Sequence, residues 1–317
     1  MKKNGEIAIL GAAESGTGAA VLASKKGLKV FVSDKGAIKE KYKSVLTHFD
    51  IDFEEGNHDL SRILSAVEVI KSPGIPDAIP IMEAIRKKNI PVISEIEFAS
   101  RFTNAKLIGI TGSNGKTTTA LLLGYILKKA GLNVGVAGNI GKSFAWQIAE
   151  EDKDVFVLEL SSFQLDGMQK FKADISMLMN ITPDHLDRYG NKFENYIRSK
   201  FRILQNQSEC DAFIYCYDDP VISKELAKMN AKMKLFPFSL KKLRLQNGAF
   251  IDKEKLIIKH HKKEFNMTLE QLALQGKHNV YNSMAAGVAA KLMEIRNDTI
   301  KQCLSDFQNI AHRVEYV

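Results

Sequence analysis

Short apolar runs alternate with stretches of helical spacing along most of this chain. The first run, at residues 7–10, leads into a glycine-rich turn, a helix-like stretch and a second apolar run at 30–32. Repetition of this order predicts parallel strands joined by helices, the arrangement of an α/β protein. Further runs of the same kind lie at 67–70, 91–93, 107–110, 134–136, 155–160 and 175–179.

The length of the chain and the spacing of these runs predict two domains. A chain of 317 residues exceeds the size at which a single core usually stops growing. We expect a Rossmann-like first domain over residues 1–94 and a central phosphate-loop domain with a mostly parallel sheet over 95–311. Short alternating segments between 233 and 272, with turn residues at Asn247-Gly248, predict a small antiparallel addition to the second sheet.

The charge of the chain is positive but dispersed. Lysine and arginine number 45 against 37 acidic residues, which gives a formal net charge of +8. Nucleic-acid-binding proteins usually gather such charge in one stripe, so we expect no nucleic-acid partner and a weak preference for anionic substrates such as nucleotides. No apolar run approaches the roughly 20 residues of a membrane helix and no signal peptide is visible, so we expect a cytoplasmic protein without membrane insertion. The three cysteines, Cys210, Cys216 and Cys303, match no zinc or redox spacing.

The turn after the first predicted strand has part of a nucleotide-binding pattern. Gly11 and Gly16 follow the strand, and Asp34 ends the next one about 20 positions later. An acidic residue at that distance is typical of a nucleotide-binding α/β unit. Ala13 occupies the place of the second glycine, so an ordinary turn between a strand and a helix is an equal alternative.

The strongest chemical signal is a phosphate loop between a predicted strand and a predicted helix. The strand at 107–110 runs into Gly112-Ser113-Asn114-Gly115-Lys116-Thr117, and helical spacing begins at Thr118. Glycines let backbone N–H groups surround phosphate oxygens, and the start of a helix adds its positive end. A lysine at this position reaches the outer phosphates, and the hydroxyl after it holds Mg²⁺. Ile110 replaces the first glycine of the longer pattern; ATP binding is nevertheless predicted, with kinase, NTPase and ligase chemistry all open.

Three further side chains follow predicted strands of the same domain. Glu159 lies near the end of the run at 155–160, His185 follows the run at 175–179, and Lys200 lies on a predicted helix. A carboxylate at the carboxyl end of a parallel strand, beside a phosphate loop, is well placed to bind Mg²⁺. A lone histidine or lysine is more often structural, so neither residue indicates a site by itself.

Together these segments resemble the Mur ligase family, the ATP-dependent amide-bond-forming enzymes of peptidoglycan synthesis. The resemblance runs from the first glycine turn to the last residue, in the family's order. The matching segments are ITGSNGKTTT at 110–119, GNIG at 138–141, ELSSFQL at 159–165, TPDHLDRY at 182–189, YIRSKFRI at 196–203, GKHNVYN at 276–282 and HRVE at 312–315. The segments SPGI at 72–75, GNIG and ELSSFQL together resemble the D-glutamate-adding branch more than the other branches.

The resemblance implies roles for individual residues in nucleotide and metal binding. It implies ATP contacts for Gly112, Ser113, Asn114, Gly115, Lys116, Thr117, Thr118, Asn279 and Asn282, with His278 as an alternative to Asn279. It implies two Mg²⁺ sites built from Thr117, Glu159, His185 and Lys200, the last as a lysine carbamylated by CO₂. Carbamylation turns a cation into an anionic oxygen ligand, which Mg²⁺ prefers. The implied catalytic residues are Lys116, His185, Lys200 and Arg313, with Arg313 near the transferred phosphate.

The resemblance also implies a UDP-linked substrate. It implies uridine diphosphate contacts for Ser15, Asp34, Lys35, Ser72 and Gly74, so the first glycine turn is expected to hold UDP and not a dinucleotide. Asn139, Gln164 and His185 are expected beside the muramoyl-alanine part. In the implied reaction, ATP phosphorylates the alanyl carboxylate of UDP-N-acetylmuramoyl-L-alanine, and the amine of D-glutamate then displaces phosphate from the acyl phosphate.

Family members carry a third, C-terminal α/β domain, and this chain stops at Val317, shortly after HRVE. Residues 312–317 are therefore expected to begin the hinge toward that domain, and the chain is expected to bind its ligands as a monomer with little turnover. The alternatives are another amide ligase of the family or a folylpolyglutamate synthase-like protein, a non-catalytic nucleotide-sugar binding fragment, and an unrelated phosphate-loop kinase. ELSSFQL and the UDP-type first domain disfavour the folate branch, and a kinase has no need of Glu159, His185 and Lys200 together.

Overall fold

The computed structural model describes residues 5–261 and 263–307, which form two compact units. The first unit falls within residues 1–104, together with 142–152 and 162–171. The second unit comprises 105–141, 153–161 and the chain from 172 onward. The chain therefore returns to the first unit twice after entering the second. The domain limits predicted at residues 94 and 311 stay a prediction.

The described residues form fourteen strands and twelve α-helices. The strands are β1 (Ile7–Leu10), β2 (Val30–Asp34), β3 (Asp52–Glu55), β4 (Glu68–Lys71), β5 (Val92–Ile93), β6 (Lys106–Thr111), β7 (Val134–Gly138), β8 (Val155–Glu159), β9 (Ile175–Leu178), β10 (Ala212–Cys216), β11 (Lys234–Ser239), β12 (Gly248–Asp252), β13 (Lys255–His260) and β14 (Lys263–Thr268). The helices are α1 (Glu14–Lys25), α2 (Glu40–His48), α3 (Leu60–Ile63), α4 (Pro80–Lys87), α5 (Glu95–Ala99), α6 (Lys116–Lys129), α7 (Phe144–Glu150), α8 (Ser162–Asp166), α9 (Phe193–Phe201), α10 (Pro220–Leu226), α11 (Lys277–Leu292) and α12 (Asn297–Asp306). Over this part of the chain, no helix combines the length and the apolar character that crossing a membrane requires.

The first unit contains a five-stranded parallel sheet in the order β3-β2-β1-β4-β5. Its central strand, β1, consists of four apolar residues that are all buried, as expected for a strand covered on both faces. The core on one face includes Leu10, Phe31 and Val69 of the sheet together with Ile85 of α4. Gly18 of α1 allows a close approach of α7, because a Cβ there would lie 2.2 Å from Ser143 Oγ.

The second unit contains a nine-stranded sheet in the order β14-β13-β12-β11-β10-β9-β6-β8-β7. Every pairing among strands β6 to β12 is parallel. Because β6 lies between β8 and β9, the segments that follow these three strands meet at one edge of the sheet. The α/β class and the mostly parallel second sheet predicted from the sequence are confirmed.

The predicted antiparallel addition is present, but it occupies only the later part of the predicted segment, from β12 onward. Strands β11 and β12 lie within residues 233–272 and pair in parallel, whereas β13 pairs antiparallel with both β12 and β14. The parallel strands β10 and β11 are connected by helix α10, which provides the crossover that a parallel pair needs. The first hairpin turn is Lys253-Glu254, with φ values of +47° and +60°, which is the backbone of a tight two-residue turn. Asn247-Gly248 instead precedes and begins β12.

A buried carboxyl group in the first unit has only one of its oxygens hydrogen-bonded. Glu95 begins α5 and is 2 % exposed. Its Oε1 accepts from the N–H of Ala145 in α7, whereas Oε2 has no hydrogen-bond partner within the described residues. Burial raises the pKa of Glu95 to about 8, and the carboxylate of Glu14 contributes to the rise. Glu95 is therefore mainly protonated in the folded chain at neutral pH.

We expect Glu95→Gln to stabilise the chain at alkaline pH and to have a much smaller effect in acid. Between the ordinary pKa of 4.5 and the raised value of about 8, the folded state binds more protons than the unfolded state. The free energy of unfolding of the wild type therefore falls as pH rises through this window, and glutamine removes that fall. Urea denaturation at about pH 5 and about pH 9 measures the difference. The matched control is Glu83→Gln, which changes an exposed glutamate of α4; equal effects of Glu95→Gln at both pH values would contradict the protonated state.

Candidate functional site

The phosphate loop predicted from the sequence lies between β6 and α6. Residues 112–115 form the turn, after β6 ends at Thr111 and before α6 begins at Lys116. Gly115 has a φ of +85°, a left-handed conformation that a side chain would strain. A Cβ at this position would also lie 2.5 Å from Asn282 Oδ1. Glycine is therefore needed at 115 both for the backbone and for the packing of Asn282.

The segment after β9 holds this loop through hydrogen bonds. The N–H of Ser113 donates to the carbonyl of Asn180 at 3.0 Å, and Ser113 Oγ donates to the carbonyl of Thr182 at 2.9 Å. Asn114 N–H donates to Asn180 Oδ1 at 2.8 Å, and Asn180 Nδ2 donates back to the Asn114 carbonyl at 3.0 Å. Asn180 is not among the site residues predicted from the sequence. Its position directly after an apolar strand run is the signal that could have identified it.

The side chain of Lys116 folds back over the loop. Its Nζ donates to the carbonyls of Gly112 and Ser113, both at 2.9 Å. Burial lowers the pKa of Lys116, while the carboxylates of Glu159 and Asp184 act in the opposite direction. The ammonium group is thus held at the loop by two carbonyl oxygens, and phosphate oxygens are acceptors that could replace them.

Two of the predicted metal ligands, Thr117 and Glu159, lie in contact. Glu159 ends β8 and is 2 % exposed, and its Oε2 accepts from Thr117 Oγ1 at 2.7 Å. The other oxygen, Oε1, accepts from Asn139 Nδ2 at 3.0 Å. A hydroxyl and a carboxylate side by side are hard oxygen donors of the kind that Mg²⁺ takes together with water and phosphate. Across residues 5–261 and 263–307, no group of three or more His, Cys, Asp or Glu side chains forms a metal site. The Thr117 hydroxyl and the Glu159 carboxylate fit a Mg²⁺ whose other ligands are phosphate oxygens and water.

The other two predicted metal residues lie in different surroundings. Lys200 of α9 is 2 % exposed, and its Nζ donates to Thr111 Oγ1 at 3.2 Å. The same ammonium lies 5.2 Å from the ring centroid of Tyr196. His185 is exposed over 56 % of its side chain, has a φ of +50°, and places Nε2 3.5 Å from Asp184 Oδ2. Lys200 is therefore buried where β6 meets the phosphate loop, whereas His185 lies at the surface of the segment after β9.

A cavity of about 580 Å³ adjoins the phosphate loop. Its lining includes Asn114, Asn180, Cys216, Asp218, His278 and Tyr281. Asp218 accepts from Tyr281 Oη at 2.8 Å. Burial alone would raise the pKa of Asp218, but hydrogen bonds from Ser239, Leu240 and Tyr281 lower it. Burial raises the pKa of Tyr281 and raises that of Cys216 to about 12. A concave site with aromatic and polar groups can hold a nucleotide base.

Helix α11 connects this cavity with the phosphate loop. Asn282 is 5 % exposed, its Oδ1 accepts from Thr119 Oγ1 at 3.3 Å, and its Nδ2 donates to Asn279 Oδ1 at 3.3 Å. His278 lines the cavity. The structure therefore brings Asn282 to the loop and His278 to the cavity, with Asn279 bonded to Asn282. Thr118, also predicted to contact ATP, lies in the first turn of α6.

The residues predicted to bind UDP gather where β1, β2 and β4 end. Asp34 ends β2; its Oδ2 accepts from Ala12 N–H at 2.7 Å, and its Oδ1 accepts from Gly36 N–H at 2.8 Å. The N–H of Ser72, after β4, donates to the Leu10 carbonyl at 3.0 Å. Both carboxylate oxygens of Asp34 thus already accept backbone N–H groups, which fix the glycine turn against β2.

The remaining predicted site residues are divided between the two units. Ser15 is in the first turn of α1, Lys35 directly follows β2, and Gly74 is in the loop after β4. Gln164, which is 2 % exposed, belongs to the first unit, whereas Asn139 belongs to the second. Arg313 lies outside the described residues.

Comparison with known proteins places the chain among ligases of cell-wall synthesis. The profile of the Mur ligase middle domain matches residues 110–290, and that of the MurD N-terminal domain matches residues 6–79. UDP-N-acetylmuramoylalanine–D-glutamate ligase of Bacteroides fragilis is 56 % identical over 98 % of this chain and 70 % of its own length. The ligase of the same name from Porphyromonas gingivalis is 50 % identical over the same shares of both chains.

Solved structures with low sequence identity share the fold. The UDP-N-acetylmuramate:L-alanyl-gamma-D-glutamyl-meso-diaminopimelate ligase from Neisseria meningitides has a TM-score of 0.67 at 19 % identity, covering 96 % of this chain and 98 % of that chain. The UDP-N-acetylmuramate-alanine ligase from Thermotoga maritima has a TM-score of 0.56 at 19 % identity, covering 96 % and 69 %. At this identity the likeness shows the fold alone.

We expect Gly115→Ala to weaken ATP binding and to lower the free energy of unfolding by about 1–3 kcal/mol. The substitution adds strain at a φ of +85° and a contact with Asn282 Oδ1. Gly131→Ala is the matched control, because Gly131 has a φ of +90° and no heavy atom within 4 Å of its Cβ position. Calorimetric titration of ATP and urea denaturation measure both variants. Equal loss of stability in the two, with ATP affinity kept, would show that the Asn282 contact is unimportant.

Proposed function

Since the chain belongs to the Mur ligase family, we propose that it catalyses the ATP-dependent addition of D-glutamate to UDP-N-acetylmuramoyl-L-alanine in peptidoglycan biosynthesis. Support for this member of the family comes from the MurD N-terminal profile and from relatives at 50–56 % identity that bear the name of this ligase. The observation that carries the chemistry is the contact of Thr117 with Glu159 beside the glycine loop, since phosphoryl transfer from ATP depends on such a metal and phosphate site.

The proposed reaction overcomes the low reactivity of a carboxylate toward amines. An oxygen of the alanyl carboxylate attacks the γ-phosphorus of ATP, the bond to the bridging oxygen breaks, and ADP leaves with that oxygen. The product is an acyl phosphate, whose carbonyl carbon the amine of D-glutamate attacks. Inorganic phosphate leaves from the tetrahedral intermediate and the nitrogen loses a proton, so an amide remains. Phosphorylation therefore supplies the leaving group that the carboxylate lacks.

The residues of the phosphate loop would position ATP for this step. Lys116 would exchange the carbonyls of Gly112 and Ser113 for phosphate oxygens. Thr117 and Glu159 would hold a Mg²⁺ ion, which when bound offsets the negative charge on the phosphate oxygens. The other ATP contacts proposed are Ser113, Asn114, Gly115 and Thr118 of the loop and helix start, and Asn279 or His278 together with Asn282 at the adjoining cavity.

We also propose that Lys200 is carbamylated and supplies an oxygen ligand to a second Mg²⁺, with His185 as a further ligand. The neutral amine of Lys200 would attack CO₂, form an N–C bond and lose one proton, leaving an anionic carbamate. The burial of Lys200 beside the phosphate loop supports this assignment, because a carbamate there would bring an anionic oxygen close to the phosphates and their metal. Arg313 would offset charge at the transferred phosphate.

The substrate contacts proposed for the UDP part are Ser15, Asp34, Lys35, Ser72 and Gly74. Those proposed for the muramoyl-alanine part are Asn139, Gln164 and His185. In Asn139 the backbone N–H and Nδ2 both donate to Glu159, at 2.8 Å and 3.0 Å. A substrate contact at Asn139 would therefore lie directly beside the proposed metal ligand. The low turnover, the monomeric state and the cytoplasmic location expected from the sequence stay predictions.

We expect the chain to bind UDP-N-acetylmuramoyl-L-alanine in preference to the same compound without alanine and to the one that already carries the dipeptide. Calorimetric titration of the three compounds measures this preference. Preference for another precursor would move the protein to a neighbouring step of the pathway. ATP binding without binding of any of the three would contradict the proposed function.

Release of phosphate from ATP distinguishes the ligase from a passive binding protein. Phosphate release that requires both the alanyl compound and D-glutamate would support ligation, and mass spectrometry of the product would identify the amide. Binding of the alanyl compound with no phosphate release would favour the non-catalytic alternative for this chain. The same assay measures the expected low turnover.

We expect Lys200→Met to abolish phosphate release while ATP affinity changes little, because the loop contacts of Lys116 and Thr117 are kept. A carbon-13 NMR signal from labelled bicarbonate should mark the carbamate in the wild type and be missing in Lys200→Met. Lys192→Met, at an exposed lysine just before α9, is the control. The same carbamate signal in wild type and Lys200→Met would contradict carbamylation at this residue.

A further inference from the structure

The last residue of β4 is a lysine with a buried ammonium group. Lys71 is 8 % exposed; its Nζ donates to the carbonyl of Ile75 at 2.9 Å and lies 3.0 Å from Asp77 Oδ1. Both partners belong to the loop at residues 72–77, called the β4 loop below. A lysine is rarely buried unless its charge is paired. Lys71 is thus an internal cation that joins the start of the β4 loop to its end.

The β4 loop packs on the glycine turn that follows β1. Lys71 is paired with Leu10 in the sheet, and the N–H of Ser72 donates to the Leu10 carbonyl at 3.0 Å. A Cβ at Gly11 would lie 2.7 Å from Ser72 Oγ and 3.5 Å from Ile75 Cδ1. The loop and the turn therefore approach each other too closely for a side chain at position 11. A change in the shape of the loop would change the surface that the two segments form together.

We propose that Lys71 is a positioning residue for the uridine diphosphate part of the substrate. By holding Ile75 and Asp77 from inside the first unit, it keeps the β4 loop in the shape that presents Ser72 and Gly74 to the ligand. This inference rests on the proposed function, because it takes a UDP site at these residues as given. Lys71 acts through the loop and does not itself contact the ligand.

A second cation holds the same loop from the outside. Arg86 Nη2 donates to the carbonyl of Asp77 at 2.7 Å and lies 3.6 Å from Asp77 Oδ1, with half of the arginine side chain exposed. Asp77 is 56 % exposed, so water and salt weaken its ion pairs with both cations, but the ammonium of Lys71 is buried and also donates to the carbonyl of Ile75. The geometry of the loop therefore depends more on Lys71 than on Arg86.

Calorimetric titrations of UDP, UDP-N-acetylmuramoyl-L-alanine and ATP test this role. Lys71→Met keeps the apolar stem of the side chain and removes the donor. We expect it to weaken binding of both UDP compounds about tenfold or more, the effect of losing a buried charged hydrogen bond, and to leave ATP binding unchanged. Lys87→Met, at an exposed lysine of α4, is the matched control and should bind all three ligands like the wild type.

Asp77→Asn separates positioning from direct contact with the ligand. This change weakens the hold of Lys71 on the loop and leaves the lysine in place. A positioning role predicts weaker UDP binding, in the same direction as Lys71→Met. Unchanged or tighter UDP binding by Asp77→Asn would overturn the proposal, because Lys71 would then act on the diphosphate itself. Loss of ATP binding in Lys71→Met would also overturn it, since the damage would extend beyond the loop.

The wild type distinguishes failure of this proposal from failure of the proposed function. If it binds neither UDP compound, both fail. If it binds both compounds and Lys71→Met binds them equally well, the role of Lys71 alone fails.

Discussion

The parallel register of β6 between β8 and β9 is the constraint on which the candidate site depends. Ile110 of β6 pairs with Glu159 of β8 on one side and with Met177 of β9 on the other. The phosphate loop therefore begins where Glu159 ends its strand and where Asn180 follows the next one. A slip of one residue in either pairing would turn these side chains to the opposite face of the sheet. The site is in this sense a property of strand order as much as of the loop itself.

Polar groups around the loop, some of them buried, are satisfied by one another. Ser113, Asn180 and Thr182 exchange hydrogen bonds across the ends of β6 and β9, and Lys200 reaches Thr111 from α9. A buried polar group without a partner costs more than a made hydrogen bond contributes. The network consequently favours one arrangement of the loop, and it prepares the backbone and the Thr117–Glu159 pair before any ligand arrives.

The first unit uses the same principle with different side chains. The edge at which the UDP contacts are proposed also consists of segments after parallel strands, here the turn after β1, the end of β2 and the β4 loop. Asp34 fixes the first of these to the second through backbone N–H groups, and Lys71 fixes the shape of the third. In both units, charged side chains at strand ends bind the protein's own backbone, so their contribution to a ligand site is partly indirect.

The sequence by itself determined the elements with strong local signals. Continuous apolar runs such as β1 and β6 identified parallel strands because both faces of such strands are buried, and the order strand, glycines, lysine and helix identified the phosphate loop because each part has its own chemical reason. The order of the matching segments along the chain indicated the Mur ligase family. The acidic edge strand β3 was missed, because Asp52–Glu55 is largely exposed and lacks an apolar run. The parallel pairing of β11 with β12 was also missed, since local spacing does not specify a partner.

Only the tertiary structure decided which residues meet. That Asn282 fills the space beside Gly115, that Asn180 bonds to Asn114, and that Asn139 holds Glu159 all join positions that are 20 to 167 residues apart in sequence. The burial of Glu95 and Lys71 could not be predicted from the sequence either, because a charged residue is expected at the surface until its partners are known. Local sequence reports the preferences of the backbone and of each side chain, whereas contacts depend on strand order and helix packing, which the whole chain sets at once.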